Sequence, residues 1–585
     1  MITRMDKYTL FTLSSYSAEF IASLQEIGVV DIRRSHKPVD AHSEELMARA
    51  ASIKSLMAGT ELKKEIAENK AVLSSLEKEL KAAQLWGEYD KEAAGRLSEA
   101  GYTIHFHELS SKKFDPEWEK ETPLAVISDN GKQVFFVTVC APGQVIGIPG
   151  EIQAPRPLTL IEDEIATAKE KLDSLDTDLQ ALPEKRVSLL AEYESTMSEL
   201  DAYLARKGSV LETEEENSLA DYLDIYEGYA PIDRKDDITG VLDAMPVFYT
   251  VEEAVDDDTP IKLHNNWFAK QFEVFTGMYG MPVYGEFDPT PILAPFYLLF
   301  FGMCMGDAGY GIILMLIALF LGKKMPESGL GKMHNLIFLL GAGTFVIGAV
   351  LGTFFGINLY EASWTPQWLK NIMPVEGNIG RIAGFDPQII MALAIGIFHI
   401  CLAMVVKTAC YTKHYGFMNS LSTWGWTILV VGGVTVAALA IGGILGGEAL
   451  KWTIIVIGAL SALGILVFNN PKRNPLINIG AGLWDTYSSV TGLLSDMLSY
   501  IRLYALGLAG GMLGGVFNSL ATMMLGDNPT WQWLPFALLL LVGHALNIAL
   551  SALGAFVHPL RLSFVEYFKN SGYEGKGRKY QPLSK

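Results

Sequence analysis

The 585-residue chain carries 46 Lys and Arg against 65 Asp and Glu, a formal net charge of −19, and 50% of its residues are hydrophobic. The charge is uneven: residues 1–290 hold 29 basic and 54 acidic residues, and residues 291–585 hold 17 and 11. An acidic half ahead of an apolar half excludes a single soluble domain and argues against nucleic acid as a partner.

The chain starts Met-Ile-Thr-Arg-Met-Asp-Lys, without a long apolar run. That predicts no signal peptide, insertion through internal spans and a cytoplasmic N-terminal half. Residues 1–40 read as a small α/β unit, with weak alternation over 8–13, a helix over 18–25 and a strand over 28–32. The period then changes. Leu62, Ile66, Leu73, Leu76, Leu80 and Ala83 recur at spacings of mostly three or four. Ile161, Ile165, Ala168, Leu172, Leu175, Leu179 and Leu182 form a heptad seam, which Tyr193, Met197, Leu200 and Leu204 continue beyond an expected break at Pro183. Between the two seams, residues 124–139 read as a β-hairpin turning at Asp129-Asn130-Gly131.

The economical architecture for residues 1–290 is a cytoplasmic antiparallel coiled-coil arm. A distal lobe at about 100–155 would sit at its tip, and residues 1–40 and 220–280 would pair as a proximal lobe. An ordinary bundle of two long helices is the plainer option. This half shows no phosphate-binding Gly loop, no His/Cys ligand cluster and no nucleophile motif, so no cofactor, metal or catalytic residue is expected there. Cys140, Cys304, Cys401 and Cys410 lack metal spacing, and three of them sit in or beside apolar segments as small hydrophobes.

Eight apolar stretches follow, at about 292–306, 308–322, 335–356, 387–407, 421–443, 452–469, 481–524 and 532–568. Most reach the roughly 20 residues a helix needs to cross a bilayer. The first two are short and nearly continuous, and the last two are long enough to predict strong tilt. With the N-terminal half inside, the inner segments hold Lys323, Lys324, Lys332, Lys407, Lys413, Lys472, Arg473, Lys569, Lys576, Arg578, Lys579 and Lys585. The outer ones hold only Lys370, Arg381 and Lys451. That asymmetry predicts eight spans with both termini cytoplasmic. The expected class is thus an α-helical membrane protein: a coiled-coil arm with two small α/β lobes, then eight transmembrane helices in residues 291–585.

Arg502 and Arg561 stand inside the last two apolar stretches, where a charge costs roughly 2.5–3.5 kcal/mol on insertion scales. Stepping back from Arg561 by threes and fours meets His558, Gly554, Ser551, Asn547 and His544. From Arg502 the same steps meet Ser499, Ser495, Gly492 and Ser488. Small and polar faces of this kind either pack helices together, with the arginines paired to Asp496 or Glu566, or line an ion path. No obvious carboxylate lies mid-span beside the arginines, so the ion-path option places the counter-charge on another subunit.

The chain resembles the membrane a/I subunit of rotary V-type and A-type ATPases. The resemblance rests on Tyr226-Glu-Gly-Tyr-Ala-Pro231, Met245-Pro246, Lys262-Leu-His-Asn-Asn266, Phe272-Glu273, Met278-Tyr-Gly-Met-Pro282 and Asp288-Pro-Thr-Pro291. It also rests on Phe301-Gly-Met-Cys-Met-Gly-Asp-Ala-Gly-Tyr-Gly311, Ser499-Tyr-Ile-Arg-Leu-Tyr-Ala-Leu506, His558-Pro-Leu-Arg-Leu-Ser-Phe-Val-Glu566, Gly572-Tyr-Glu-Gly575 and Tyr580-Gln-Pro582. It implies a non-catalytic stator and ion-channel subunit that carries protons or sodium ions through two half-paths. The implied partners are a rotating proteolipid (c/K) ring, peripheral-stalk E/G-type helices on the arm, a collar subunit on the central-stalk side and the lipid bilayer. The implied location is the plasma (inner) membrane of a prokaryote. Arg502 and Arg561 match the family's two arginines. The implied ion-path residues are Arg502, Arg561, His558, Ser499, Ser495, Ser551, Asn547, His544, Asp496 and Glu566.

Two departures stand out. Pro559 replaces a small hydroxyl residue and predicts a kink before Arg561. Ser551 stands where eukaryotic members carry a glutamate, which leaves Asp496 or Glu566 as substitute acids. Asp307 reads as structural punctuation, with Gly306 and Gly309 permitting a tight turn. A stand-alone secondary transporter with a regulatory arm is the alternative function. It calls for internal repeats, and none is convincing between 291–400 and 401–568. A membrane-anchored tether explains the arm but not two intramembrane arginines.

Overall fold

The computed structural model describes residues 2–584 except 36, 88–90, 116, 119–122, 142–147, 155, 210–221, 257, 326–328, 383, 468–474 and 526–531, and except the side chains at 91–94, 183, 415, 467, 475–479 and 481. Lys472, Arg473 and Lys585 lie outside the described residues. The chain divides into two compact units, one of residues 11–226 with 583–585 and the other of residues 1–10 with 227–582.

The unit of residues 11–226 is built on the two seams. After β1 (Met5–Leu13), α1 (Ser17–Ile27) and β2 (Asp31–Ile32) come α2 (Ala41–Ala58) and α3 (Thr60–Gln84). The helix α4 (Lys91–Glu99) leads to the strands β3 (Thr103–Ser110), β4 (Leu124–Asp129), β5 (Gln133–Cys140) and β6 (Glu151–Ile152). Then α5 (Leu158–Arg206) runs for 49 residues. The expected break at Pro183 does not occur, because helical backbone continues through that position. Leucine and isoleucine knobs pair α5 antiparallel with α2 and α3. Leu46 packs with Leu200 and Leu204, Ile66 with Leu172 and Leu175, and Leu76 and Ala83 with Ile161 and Ile165. The irregularity falls on the other side of the seam, at Gly59. Its φ of 59° is left-handed, and a Cβ there would stand 2.8 Å from Leu182 Cδ1. The strands form an antiparallel sheet in the order β4-β5-β3-β6. At the β4–β5 turn, Asn130 Oδ1 accepts from the backbone N–H groups of Lys132 and Gln133.

The second unit begins with β7 (Leu223–Pro231), α6 (Lys235–Leu242), β8 (Phe248–Glu253) and α7 (Trp267–Tyr279). Its strands β7, β1 and β8 lie side by side in the order β7-β1-β8. Helices then occupy every apolar stretch. They are α8 (Thr290–Met305), α9 (Ala308–Lys324), α10 (His334–Leu351), and, after the short strands β9 (Thr353–Phe354) and β10 (Ile357–Asn358), α11 (Pro387–Tyr415). Next, α12 comprises Leu421–Thr427, a π-helical segment Ile428–Gly432 and Gly433–Ile441, and α13 (Gly447–Ala462) ends in another π-helical segment, Leu463–Val467. Finally come α14 (Pro475–Ser499), α15 (Ile501–Met524) and α16 (Trp533–Arg561). Among the described residues six helical segments are long and apolar enough to cross a membrane: His334–Leu351, Pro387–His414, Met418–Ile441, Gly447–Leu466, Gly482–Met524 and Trp533–Ser571. The first two stretches of the eight expected from sequence pass only as a pair, Thr290–Met305 with Ala308–Lys324, bent by 120°. The chain is a multi-pass helical membrane protein.

The core of this unit is aromatic. Phe272, Phe275, Tyr297, Phe300, Tyr500 and Phe568 are fully buried together, and within the bilayer such a cluster is held by close van der Waals packing and not by exclusion of water. The α8–α9 bend has two causes. Gly306 adopts a left-handed φ of 65°, and a Cβ there would meet Gly507 Cα of α15 at 2.9 Å. Asp307 then caps α9, its Oδ1 accepting from the N–H groups of Gly309 and Tyr310. The same carboxylate accepts from Phe355 and Gly356 at 2.8 and 2.7 Å. Four N–H groups converge on one buried carboxylate, so Asp307 welds the bend to the β9–β10 turn.

Candidate functional site

Arg502 stands at the second position of α15, just past a break in the helix at Tyr500. Tyr500 is fully buried, and its hydroxyl lies 2.9 Å from His399 Nδ1 of α11. Gly396 makes room for the Tyr500 ring, because a Cβ there would fall 2.3 Å from Tyr500 Cγ. His399 is itself stacked on Tyr567, with ring centroids 4.5 Å apart. A buried aromatic clamp therefore holds the backbone two residues before Arg502. The guanidinium Nη1 is buried and has no hydrogen-bond partner. Among the described residues, neither Arg502 nor Arg561 forms an ion pair.

Arg561 is exposed and ends the regular part of α16. The helix passes Pro559 without interruption, and the irregularity comes after Arg561, as a π-helical segment over Leu562–Tyr567. That segment carries Glu566, whose side chain is 98% buried with Oε2 unpartnered. Arg561, Arg502 and Asp496 all bear electrostatically on Glu566, and both arginines bear on His558. Asp496 is engaged elsewhere. It accepts from Lys569 Nζ at 3.2 Å and Asn570 Nδ2 at 2.9 Å. Among the described residues neither arginine stands within ion-pair distance of Asp496 or Glu566. Ser499 Oγ turns back to the Ser495 carbonyl, and Ser495 is exposed.

The other stripe is tied together by residues from distant elements. Asn547 is fully buried, and its Nδ2 donates to Tyr310 Oη at 2.7 Å and to the Gly510 carbonyl at 2.8 Å. Tyr310 Oη lies 2.8 Å from His544 Nδ1. His544 Nε2 lies 3.0 Å from Asn518 Oδ1, and Asn518 Nδ2 donates to the Phe355 carbonyl. One assignment satisfies every group. His544 is neutral, donates from Nε2 to Asn518 and accepts at Nδ1 from Tyr310, while Tyr310 accepts from Asn547. Ser551 Oγ extends the chain to Asn547 Oδ1 at 3.3 Å. A cavity of about 150 Å³ opens beside it, lined by Asn547, Ser551, Gly510 and Gly554.

The structure thus brings His544, Asn547 and Ser551 into one network. It gathers Arg502, Arg561, His558, Asp496 and Glu566 into a second, charged neighbourhood. Tyr310, Asn518, Lys569 and Asn570 belong to these groups and were not singled out from sequence. Asn518 had one available signal, a polar side chain in an apolar span.

Residues 152–366 and 484–585 match the model of the V-type ATPase 116 kDa subunit family. The A-type ATP synthase subunit I of Methanocaldococcus jannaschii is 28% identical over 461 residues, covering 72% of this chain and 65% of that one. The V-type ATP synthase subunit I of Borreliella burgdorferi is 25% identical over 629 residues, covering the whole of both. The A-type ATP synthase subunit I of Pyrococcus abyssi is 32% identical over 337 residues, 56% of this chain and 48% of that one. The alignments thus span about two thirds of the first of these relatives and about half of the third.

Proposed function

Since the chain belongs to the V-type ATPase 116 kDa subunit family, and so is a subunit of a rotary ATPase, we propose that it is the stator that carries protons or sodium ions past Arg502 to a rotating proteolipid ring. The observation that carries this is the buried, unpartnered Nη1 of Arg502. A half-buried cation with a buried, unpartnered donor and no ion pair is costly. A carboxylate brought in by another chain offsets that cost and is itself driven to ionise, because a neighbouring positive charge favours the charged form. Its proton leaves by one half-path, and reprotonation from the other lets it move on.

The two half-paths start on different sides of Arg502. One follows Ser499, Ser495 and Asp496 toward Glu566 and Lys569. The other follows His558, Ser551, Asn547 and His544, with Tyr310 and Asn518 as its added members. Arg561 and Glu566 stand between them. Eight crossings follow if both arms of the bent α8–α9 pair traverse the bilayer, with both termini cytoplasmic and the membrane that of a prokaryotic cell. Residues 1–290 then form the arm that peripheral-stalk helices and a collar subunit hold against rotation, and residues 291–585 form the membrane domain. The chain contributes no catalytic group of its own.

The test is Arg502→Ala in the assembled complex reconstituted into vesicles. ATP-driven ion uptake should fall to background while the complex still assembles with its ring. Wild-type uptake by that variant would sink the proposal.

A further inference from the structure

A cavity of about 750 Å³ opens between α11, α12, α14 and the segment after α16, and Lys407, Tyr411, Thr423, Ser488, Lys569 and Asn570 line it. Lys407 is half-buried. Its methylenes run over Gly572, with Cγ and Cε each 3.5 Å from the position of a Cβ there, and its ammonium stands 5.9 Å from the centre of the Tyr411 ring. Among the described residues it has no carboxylate partner. Lys569 Nζ reaches Asp496 Oδ2 at 3.2 Å and lies 3.6 Å from the position of a Cβ on Gly492. Two ammonium groups thus line one cavity, only Lys569 has a carboxylate partner, and the rest of the polar wall is hydroxyl and amide. That set is one anion short of balance and rich in donors.

Depth decides which anion fits. Lys407 lies about two turns before the end of α11, and Lys569 lies in the last turn of the helical segment Trp533–Ser571. Helix ends sit where a bilayer places its headgroups. Basic pockets between membrane helices at that level take anionic headgroups. We propose that this cavity binds the phosphate of an anionic phospholipid, held by Lys407 and Lys569 with hydroxyl and amide donors around it. The headgroup then stands beside Ser488, at the end of the Arg502 stripe.

The experiment is native mass spectrometry of the full chain, exchanged into phosphatidylglycerol or phosphatidylcholine. The expected result is preferential retention of phosphatidylglycerol. Retention falls about fivefold for Lys407→Gln and about thirtyfold when Lys569→Gln is added. Lys407→Arg, which keeps the charge, retains the lipid and separates lost binding from lost folding. Equal retention of the two lipids, or wild-type retention by the double variant, overturns the proposal. Displacement of the lipid by millimolar inorganic phosphate overturns the lipid source and assigns the site to free phosphate. The readout is retention and not transport, so it fails separately from the ion-path proposal.

Discussion

Tyr310 of α9 and His544 of α16 are 234 positions apart, yet the tyrosine hydroxyl lies 2.8 Å from the imidazole Nδ1. That bond closes a chain running from Asn547 through Tyr310 and His544 to Asn518. Every member of it uses the next as donor or acceptor.

Tyr310→Phe removes the one atom that serves both the buried Asn547 and the half-buried His544. Asn547 Nδ2 keeps Gly510, but His544 Nδ1 loses its partner. The expected cost is about 1–3 kcal/mol, the penalty for an unsatisfied buried polar group. Thermal unfolding of the purified chain should show it, and ion transport in the assembled complex should fall with it. An unchanged melting temperature would mean that water already satisfies His544.

The Asp496–Lys569 pair should couple weakly, because the lysine side chain is 58% exposed. A double-mutant cycle of Asp496→Asn and Lys569→Met should give an interaction of about 0.5–1 kcal/mol. It should weaken as salt is raised. A coupling above about 3 kcal/mol would mark the pair as fully desolvated.

Gly507→Ala should disrupt the seat of the α8–α9 bend. A Cβ at that position would fall 2.4 Å from the Met303 carbonyl oxygen, a backbone atom that cannot swing away. The expected loss is about 1–3 kcal/mol, visible as faster hydrogen exchange near Gly306. Wild-type exchange there would show that α15 can shift away from α8.

Glu286 sits outside the membrane-spanning segments and is held by the N–H groups of Val283 and Glu574. Burial pushes its carboxyl above the ordinary carboxylate range. A raised folded pKa means that the folded chain binds the extra proton. Its contribution to stability is therefore complete below the ordinary carboxylate range and lost as pH rises through the folded value. Glu286→Gln should flatten that slope in melting curves taken across the acidic range. An unchanged slope would assign the pH dependence to another group.

Asp40 behaves in the opposite sense. The Tyr203 hydroxyl first, and the Ser43 N–H second, hold its carboxyl down to about 2. Its contribution is complete above the ordinary carboxylate value and disappears as pH falls through about 2. Asp40→Asn should therefore melt below wild type at neutral pH, and the two should converge at about pH 2. A gap that persists there would point to lost α2 capping and not to charge.

Period and length made much of this protein readable. Seven-residue repetition at Leu172, Leu175 and Leu179 places one apolar seam on α5, and only a partner helix can bury it. Apolar length located the six segments long enough to cross a membrane and the bent pair that precedes them, and three- and four-residue steps from Arg561 placed His544, Asn547 and Ser551 on one face. These are properties of a helix by itself, so the chain carries them wherever it folds. Pro183 misled for the complementary reason. A proline favours a break, but neighbouring contacts decide whether the helix ends, and here helical backbone runs on past it. The pairing of polar groups was beyond reach of any such step. Asp496 could have met either arginine and meets Lys569 and Asn570 instead, while Asp307 gathers N–H groups from residues 48 and 49 positions away. Those choices are set by distances of about 3 Å between atoms far apart in the chain, and only tertiary packing sets such distances.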